Sequence, residues 1–188
     1  MLRSLAVVFI AGALAVSAFA EDLKKVENFS LDDVNGKKHS LADYKDAKAI
    51  VLMFIATQCP VSNAYNERMA SVEHDYASKG VVFLGINSNK QESVEEIKEH
   101  AAKHGFLFPI LKDHNNVIAD KLGASVTPEI YVLNGSLDLL YHGRIDDSQR
   151  EAKVKAKDLR SALDELLAGK KVSTISTKAF GCTIKRVS

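Results

Sequence analysis

Several things are scarce in this 188-residue chain. It holds two cysteines, three prolines and ten glycines, and 25 Lys and Arg nearly cancel 24 Asp and Glu. Two cysteines are too few for a disulfide-scaffolded mini-protein, so their positions matter more than their number. So few prolines and glycines, with 46% hydrophobic and 26% charged residues, exclude collagen-like, disordered and repeat-array chains. The charge balance excludes the overall basic excess expected of a nucleic-acid binder. Setting aside the first twenty residues, whose one charge is Arg3, leaves 24 charges of each sign.

Only one long hydrophobic run is present, and it stands at the N-terminus. Arg3 precedes an apolar stretch from Leu5 to Val16, and Ala18-Phe19-Ala20 supplies a small-x-small site before Glu21-Asp22. That three-part pattern is expected of a cleaved secretory signal over residues 1–20. The run falls short of the roughly 20 residues a membrane span needs, and no later stretch approaches it. The expected mature chain therefore starts near Glu21 in an oxidising compartment where a disulfide persists. That compartment is the periplasm for a Gram-negative source and the exterior otherwise.

The rest of the chain reads as one domain, residues 21–188, with a polar tail over 169–188. Phe29-Ser30-Leu31 and His39-Ser40-Leu41 flank Asn35-Gly36, the signal of an N-terminal β-hairpin. Ala49 to Ala56 and Val81 to Ile86 are short apolar runs typical of strands buried on both faces. Between them, apolar residues at three- and four-residue spacing predict a helix over Pro60–Lys79, ended by Gly80. Ser93 and Glu96 form a capping box for a helix to His104, and Asn115 or Asn116 is placed to cap a short one to Leu122. Ile130–Leu133 and Leu137–His142 flank Asn134-Gly135 as an antiparallel pair, and an amphipathic helix is expected over Ala152–Ala168. The order predicts an α/β fold with a central mixed β-sheet flanked by helices.

Cys59 leaves the carboxyl end of the first buried strand, where open α/β sheets place their chemistry. Pro60 suits the first helical position, and free amides at a helix start favour a thiolate at Cys59. That predicts a nucleophile, with a buried structural cysteine as the alternative. Thr127-Pro128 opens a strand after an intervening βα unit, as a candidate cis peptide bordering the nucleophile and turned toward an incoming extended chain.

These residues resemble the thioredoxin fold. The N-terminal hairpin, the stretch Tyr141-His142-Gly143-Arg144-Ile145-Asp146-Asp147 and the ending Phe180-Gly181-Cys182-Thr183-Ile184-Lys185 narrow the resemblance to the peroxiredoxin-like branch of the redoxin (AhpC/TSA) superfamily, over roughly residues 23 to 188. The resemblance implies thiol–disulfide oxidoreductase chemistry with Cys59 attacking. Pro60, Thr127 and Pro128 border the substrate, and Thr57 and Ser62 support the site. Ser62 stands where a thioredoxin has its second cysteine and where a peroxiredoxin has its peroxidatic one. Thr127-Pro128 stands about where the peroxidase arginine belongs, and Arg144 is a poor replacement. Thiol peroxidase activity is therefore the second enzyme reading rather than the first.

Cys182 is the remaining candidate partner for Cys59. It either resolves a mixed disulfide, forms a permanent bridge across a very long loop, or stays unpaired. A locked bridge would leave a non-catalytic binding module. The expected partners are protein thiols and disulfides or a small thiol, with no nucleic acid and membrane contact only through the export signal. No cofactor and no metal are expected. His100 and His104 have metal-ligand spacing but no acidic third ligand. Asp146-Asp147 reads as a cap for the following helix, and Lys153, Lys155 and Lys157 as a solvated helix face.

Overall fold

The computed structural model describes residues 24–187; the expected signal segment lies outside them. In chain order its elements are β1 (Ser30–Asp32), β2 (Lys38–Ser40), β3 (Ala49–Phe54), α1 (Pro60–Asn63), α2 (Asn66–Ala77), β4 (Val81–Asn87), α3 (Val94–Lys103), β5 (Ile110–Lys112), α4 (Val117–Leu122), β6 (Val126–Thr127), β7 (Glu129–Leu133), β8 (Leu139–Gly143), α5 (Asp158–Leu167) and β9 (Cys182–Thr183). The central sheet has the order β5-β4-β3-β7-β8. Strands β3, β4 and β5 run parallel, whereas β7 and β8 are antiparallel to their neighbours, so the sheet is mixed as expected.

Strand β3 explains why. All six of its residues are buried, with the period-2 alternation of an extended chain sending successive side chains to opposite faces. Ala49, Val51 and Met53 pack with Tyr65, Met69 and Val72 of the Cys59-side helices and with Leu159 and Leu163 of α5. Ile50, Leu52 and Phe54 pack on the other face with Leu41, Ile118 and Ala119. The N-terminal hairpin is present, paired Ser30↔Ser40 through Asp32↔Lys38. Asp33 closes it by accepting the Asn35 and Lys37 amides at 2.8 and 3.0 Å.

The helix expected over Pro60–Lys79 is two helices. Tyr65 breaks it, with ψ near −2° at the start of α2. The side chain of Tyr65 is drawn into the core, its hydroxyl donating to Asp146 Oδ1 at 2.9 Å and its ring lying under the Arg68 guanidinium. The short helix before Gly123 is capped by Asp113, whose carboxylate accepts the Ile118 and Ala119 amides at 3.0 Å each. Asn116, one of the two expected caps, holds the N-cap position at φ 60° without a side-chain bond to the helix, and Asn115 stands one residue earlier, also at φ 60°.

The last helix begins at Asp158 rather than Ala152, after a 3₁₀ turn over Glu151–Lys153. Lys153, Lys155 and Lys157 are exposed, yet they lie on that turn and the link after it, not on a helix face. Asp146 and Asp147 do not cap a helix. Asp146 pairs with Arg68 at 2.6 Å, and Asp147 accepts the Lys155 amide at 2.8 Å. Two pairings escaped the sequence reading: β5, three residues long with a buried lysine, and β6–β9, two residues each. Runs this short carry no periodicity to detect.

Candidate functional site

Cys59 sits at the N-cap of α1 with extended backbone, and Pro60 takes the first helical position, where its missing N–H leaves no bond unmade. The Ser62 N–H points at Cys59 Sγ, 3.2 Å away. Because the helix breaks after one turn, this single amide, rather than the dipole of a long helix, is what α1 offers the sulfur. Ser62 itself is fully buried, its hydroxyl accepting the Ala56 amide at 3.2 Å.

The loop ahead of Cys59 is held by one polar stripe. Glu92 Oε2 and Oε1 accept the amides of Thr57 and Gln58 at 2.9 and 3.0 Å. One turn on, Glu96 accepts the Thr57 hydroxyl at 2.6 Å and the Gln58 side-chain amide at 3.0 Å. This occupies the carboxylate that the capping box would have turned back on Ser93; only the Ser93 hydroxyl, accepting the Glu96 N–H, performs its half. A further turn on, His100 Nε2 meets Asn63 Oδ1 at 3.0 Å, and Asn63 donates to the Thr57 carbonyl at 2.8 Å. Burial lowers the pKa of His100, with neighbouring His104 adding to the effect.

Burial pushes Glu92 upward, but hydrogen bonds from Thr57, Asn87, Gln58 and Asn89 outweigh it and hold the carboxyl below its ordinary value. Beneath it Lys112 is buried as well, donating to Asn87 Oδ1, Asn89 O and Glu92 O at 3.0, 2.7 and 2.8 Å. Burial lowers its pKa.

A second carboxylate organises the opposite wall. Thr127–Pro128 is a cis peptide, and Glu129, next in the chain, accepts the Ser125 and Val126 amides at 2.8 and 3.1 Å. His142 Nε2 lies 2.7 Å from its other oxygen. Here too burial raises the carboxyl, and the His142 and amide hydrogen bonds bring it below the usual range.

Strand β6, thus braced, pairs antiparallel with β9, Thr127 opposite Cys182. The tail passes so close that a Cβ at Gly181 would collide with the Thr127 carbonyl. Only glycine permits that approach. A disulfide joins Cys59 and Cys182 across 123 positions, with a Cα–Cα distance of 5.8 Å. The two cysteines are therefore paired, and the unpaired alternative is overturned. The Thr127 carbonyl oxygen lies 3.3 Å from Cys59 Sγ, and the Thr127 hydroxyl is buried without a partner.

Ser62 and Thr127 meet Cys59 Sγ, Pro60 and Pro128 adjoin Cys59 and Thr127 in the chain, and Thr57 is bonded to Glu92, Glu96 and Asn63. Arg144 is tied to Asp158 at 2.8 Å. Glu92, Asn89 and Glu129 were missed by sequence reasoning, which read Glu96 only as a capping-box residue. The four-residue spacing of Glu96 and His100 on α3 was a detectable signal of one helix face, with Glu92 just ahead of its N-cap Ser93. An acid inside the apolar run Glu129–Leu133 was another. A cleft of about 690 Å³ is bordered by Arg68, Asp75 and Arg160 and includes neither cysteine. Among the described residues no group of three or more His, Cys, Asp or Glu side chains is arranged to hold a metal.

A mixed sheet with a cysteine at the strand-to-helix turn, facing a cis-proline loop, defines a thioredoxin-like protein. The chain belongs to the AhpC/TSA family, whose model matches residues 23–142. A hypothetical protein of Sinorhizobium meliloti has the same fold, with a TM-score of 0.81 at 33% identity over 88% of this chain and 94% of that one. The thioredoxin-like protein YneN of Bacillus subtilis is 28% identical over 133 residues, 70% of this chain and 77% of its own length. The thiol-disulfide oxidoreductase ResA of Geobacillus thermodenitrificans is 26% identical over 133 residues, 70% and 71% of the two lengths.

Proposed function

We propose that this protein is an exported thiol–disulfide oxidoreductase whose Cys59–Cys182 pair cycles between disulfide and dithiol. One observation carries the reading: the bridge joins the strand-end cysteine to a strand lying on Thr127, the residue before the cis-proline. Both sulfurs thus meet at the sheet edge where this fold places its chemistry. The name of the ResA relative supports the same chemistry. Cys59 is the sulfur whose thiolate the Ser62 N–H stabilises. Pro60, Thr127 and Pro128 border the substrate, and Thr57 and Ser62 shape the loop. The substrates are protein thiols and disulfides or a small thiol.

Peroxidase chemistry is secondary in this reading. The peroxidatic position is Ser62, buried and engaged with Ala56, and Arg144 is engaged elsewhere. Export rests on the signal pattern of residues 1–20, which leaves a mature domain of 21–188; intact mass of the secreted chain tests it by a start near Glu21.

The deciding experiment is thiol counting by intact mass across a graded glutathione redox series. Opening of the bridge near a compartment-like potential supports redox exchange. Resistance to reduction well below roughly −300 mV makes it a structural bridge, and the non-catalytic binding module takes its place.

A further inference from the structure

The two cysteines differ in exposure. Cys59 is 3% exposed, whereas Cys182 is part-exposed on the tail that covers it. That tail is not hung on the disulfide alone. Before Cys182, main-chain bonds His142 N→Ile175 O and Thr177 N→His142 O dock it on β8 at 3.0 Å each. The Thr177 hydroxyl meets Tyr141 at 2.7 Å, and the Phe180 ring stands edge-on to Tyr65.

After Cys182, the Ile184 amide donates to the Ser125 carbonyl at 3.0 Å and the Lys185 amide to Asn89 Oδ1 at 2.7 Å. Arg186 reaches Asp120 at 2.7 Å and the Ala124 carbonyl at 2.6 Å. These anchors involve neither sulfur, so rupture of the S–S bond leaves them in place.

Thiol–disulfide exchange needs the attacking thiolate to approach along the S–S axis, from behind the sulfur it attacks. Cys59 is buried, and its Sγ has the Ser62 amide and the Thr127 carbonyl at 3.2 and 3.3 Å. We infer that Cys182, not Cys59, is the sulfur that exchanges with outside thiols, and that Cys59 is its internal partner. This rests on the redox-active reading of the pair and assigns the roles within it.

In the reducing direction an external thiolate attacks Cys182 Sγ. A new S–S bond forms to Cys182, the old one breaks, and the electron pair leaves on Cys59 as a thiolate facing the Ser62 N–H. A second external thiolate attacks the outer sulfur of that mixed disulfide. This releases a two-thiol disulfide and the Cys182 thiolate, so two thiols are oxidised as one bridge is reduced. In the oxidising direction the Cys182 thiolate attacks a substrate disulfide and expels one thiolate. The Cys59 thiolate then attacks Cys182 Sγ, expels the other, and restores the bridge.

The test uses the oxidised full-length mature chain and glutathione. The reaction is acid-quenched at early times and digested, and the glutathione adduct is mapped to the Cys59 or the Cys182 peptide. Single-cysteine forms, Cys59→Ser and Cys182→Ser, are reacted in parallel with glutathione disulfide. The expected result is at least tenfold more adduct on Cys182, and at least tenfold faster modification of Cys182 in Cys59→Ser than of Cys59 in Cys182→Ser. Equal labelling, or a preference for Cys59, overturns the role assignment while leaving the redox-active pair in place. A bridge that opens to no thiol concentration, with no adduct on either peptide, overturns both.

Discussion

Asn89 and Glu92 are hydrogen-bonded side chain to side chain at 2.9 Å, and each holds a different half of the disulfide's surroundings. Glu92 carries the loop that leads into Cys59. Asn89 Oδ1 takes the Lys185 amide three residues beyond Cys182. The turn after β4 therefore ties together two segments that are far apart in sequence, independently of the S–S bond. Such preorganisation keeps two thiols at high effective concentration once the bridge opens.

Replacing Glu92 with Gln presents an amide where two main-chain N–H groups need an acceptor. The expected loss is about 1–3 kcal/mol of unfolding free energy, the cost of buried donors left unpaired. Urea denaturation of the oxidised protein, wild type against Glu92→Gln, measures it.

Acid should destabilise the protein through the same group. Glu92 and Glu129 both have folded pKa values below the ordinary 4.5. Their contribution is therefore complete above pH 4.5 and is lost as pH falls through the lower folded values. Unfolding free energy measured from pH 6 downward should hold level and then fall. Glu92→Gln should make that fall shallower, and an unchanged acid limb would remove Glu92 from the account.

Reduction of the bridge should lower stability without unfolding the protein. Closing a loop across 123 positions restricts the unfolded chain, an effect on the order of 4–5 kcal/mol in the chain-entropy model. The anchors flanking Cys182 should keep the reduced tail docked. Hydrogen exchange of the Ile184 and Lys185 amides, slow before and after reduction, checks the docking; denaturant midpoints check the stability.

Gly181→Ala puts a Cβ against the Thr127 carbonyl. Overpacking of this kind costs about 1–3 kcal/mol, and opening the bridge gives the Cys182 strand freedom to relieve it. The glutathione equilibrium should shift toward the dithiol by about tenfold, while Gly36→Ala, where no atom stands near, should leave it unmoved.

Arg68→Ala tests an ion pair that involves neither cysteine. Asp146 is 4% exposed and would lose its guanidinium partner, an uncompensated buried charge worth about 3–5 kcal/mol. Thermal unfolding should show the loss, with the glutathione equilibrium of the cysteines unchanged.

Much of the architecture was legible because it is written in local pattern. The all-apolar runs Ala49–Phe54 and Val81–Ile86 dictate strands buried on both faces, Asn35-Gly36 dictates a turn, and Ser93 dictates a helix start. The Cys59-Pro60 and Thr127-Pro128 pairs marked the site by the backbone geometry that proline imposes. Where the reading failed, a distant partner had overruled a local preference. Asp146 draws Tyr65 inward and breaks a helix that its own spacing supports, and Asp113 makes the side-chain capping bonds that Asn116, at the N-cap, does not.

Sequence alone thus determined the class of fold, the strand-end position of Cys59 and the glycine beside Cys182, since each follows from side-chain period or backbone freedom over a few residues. Tertiary structure alone decided that Cys182 lies opposite Thr127, that Glu92 and Glu129 brace the two walls, and that Cys59 is the covered sulfur. Those facts depend on contacts between residues dozens of positions apart, and no local propensity encodes them.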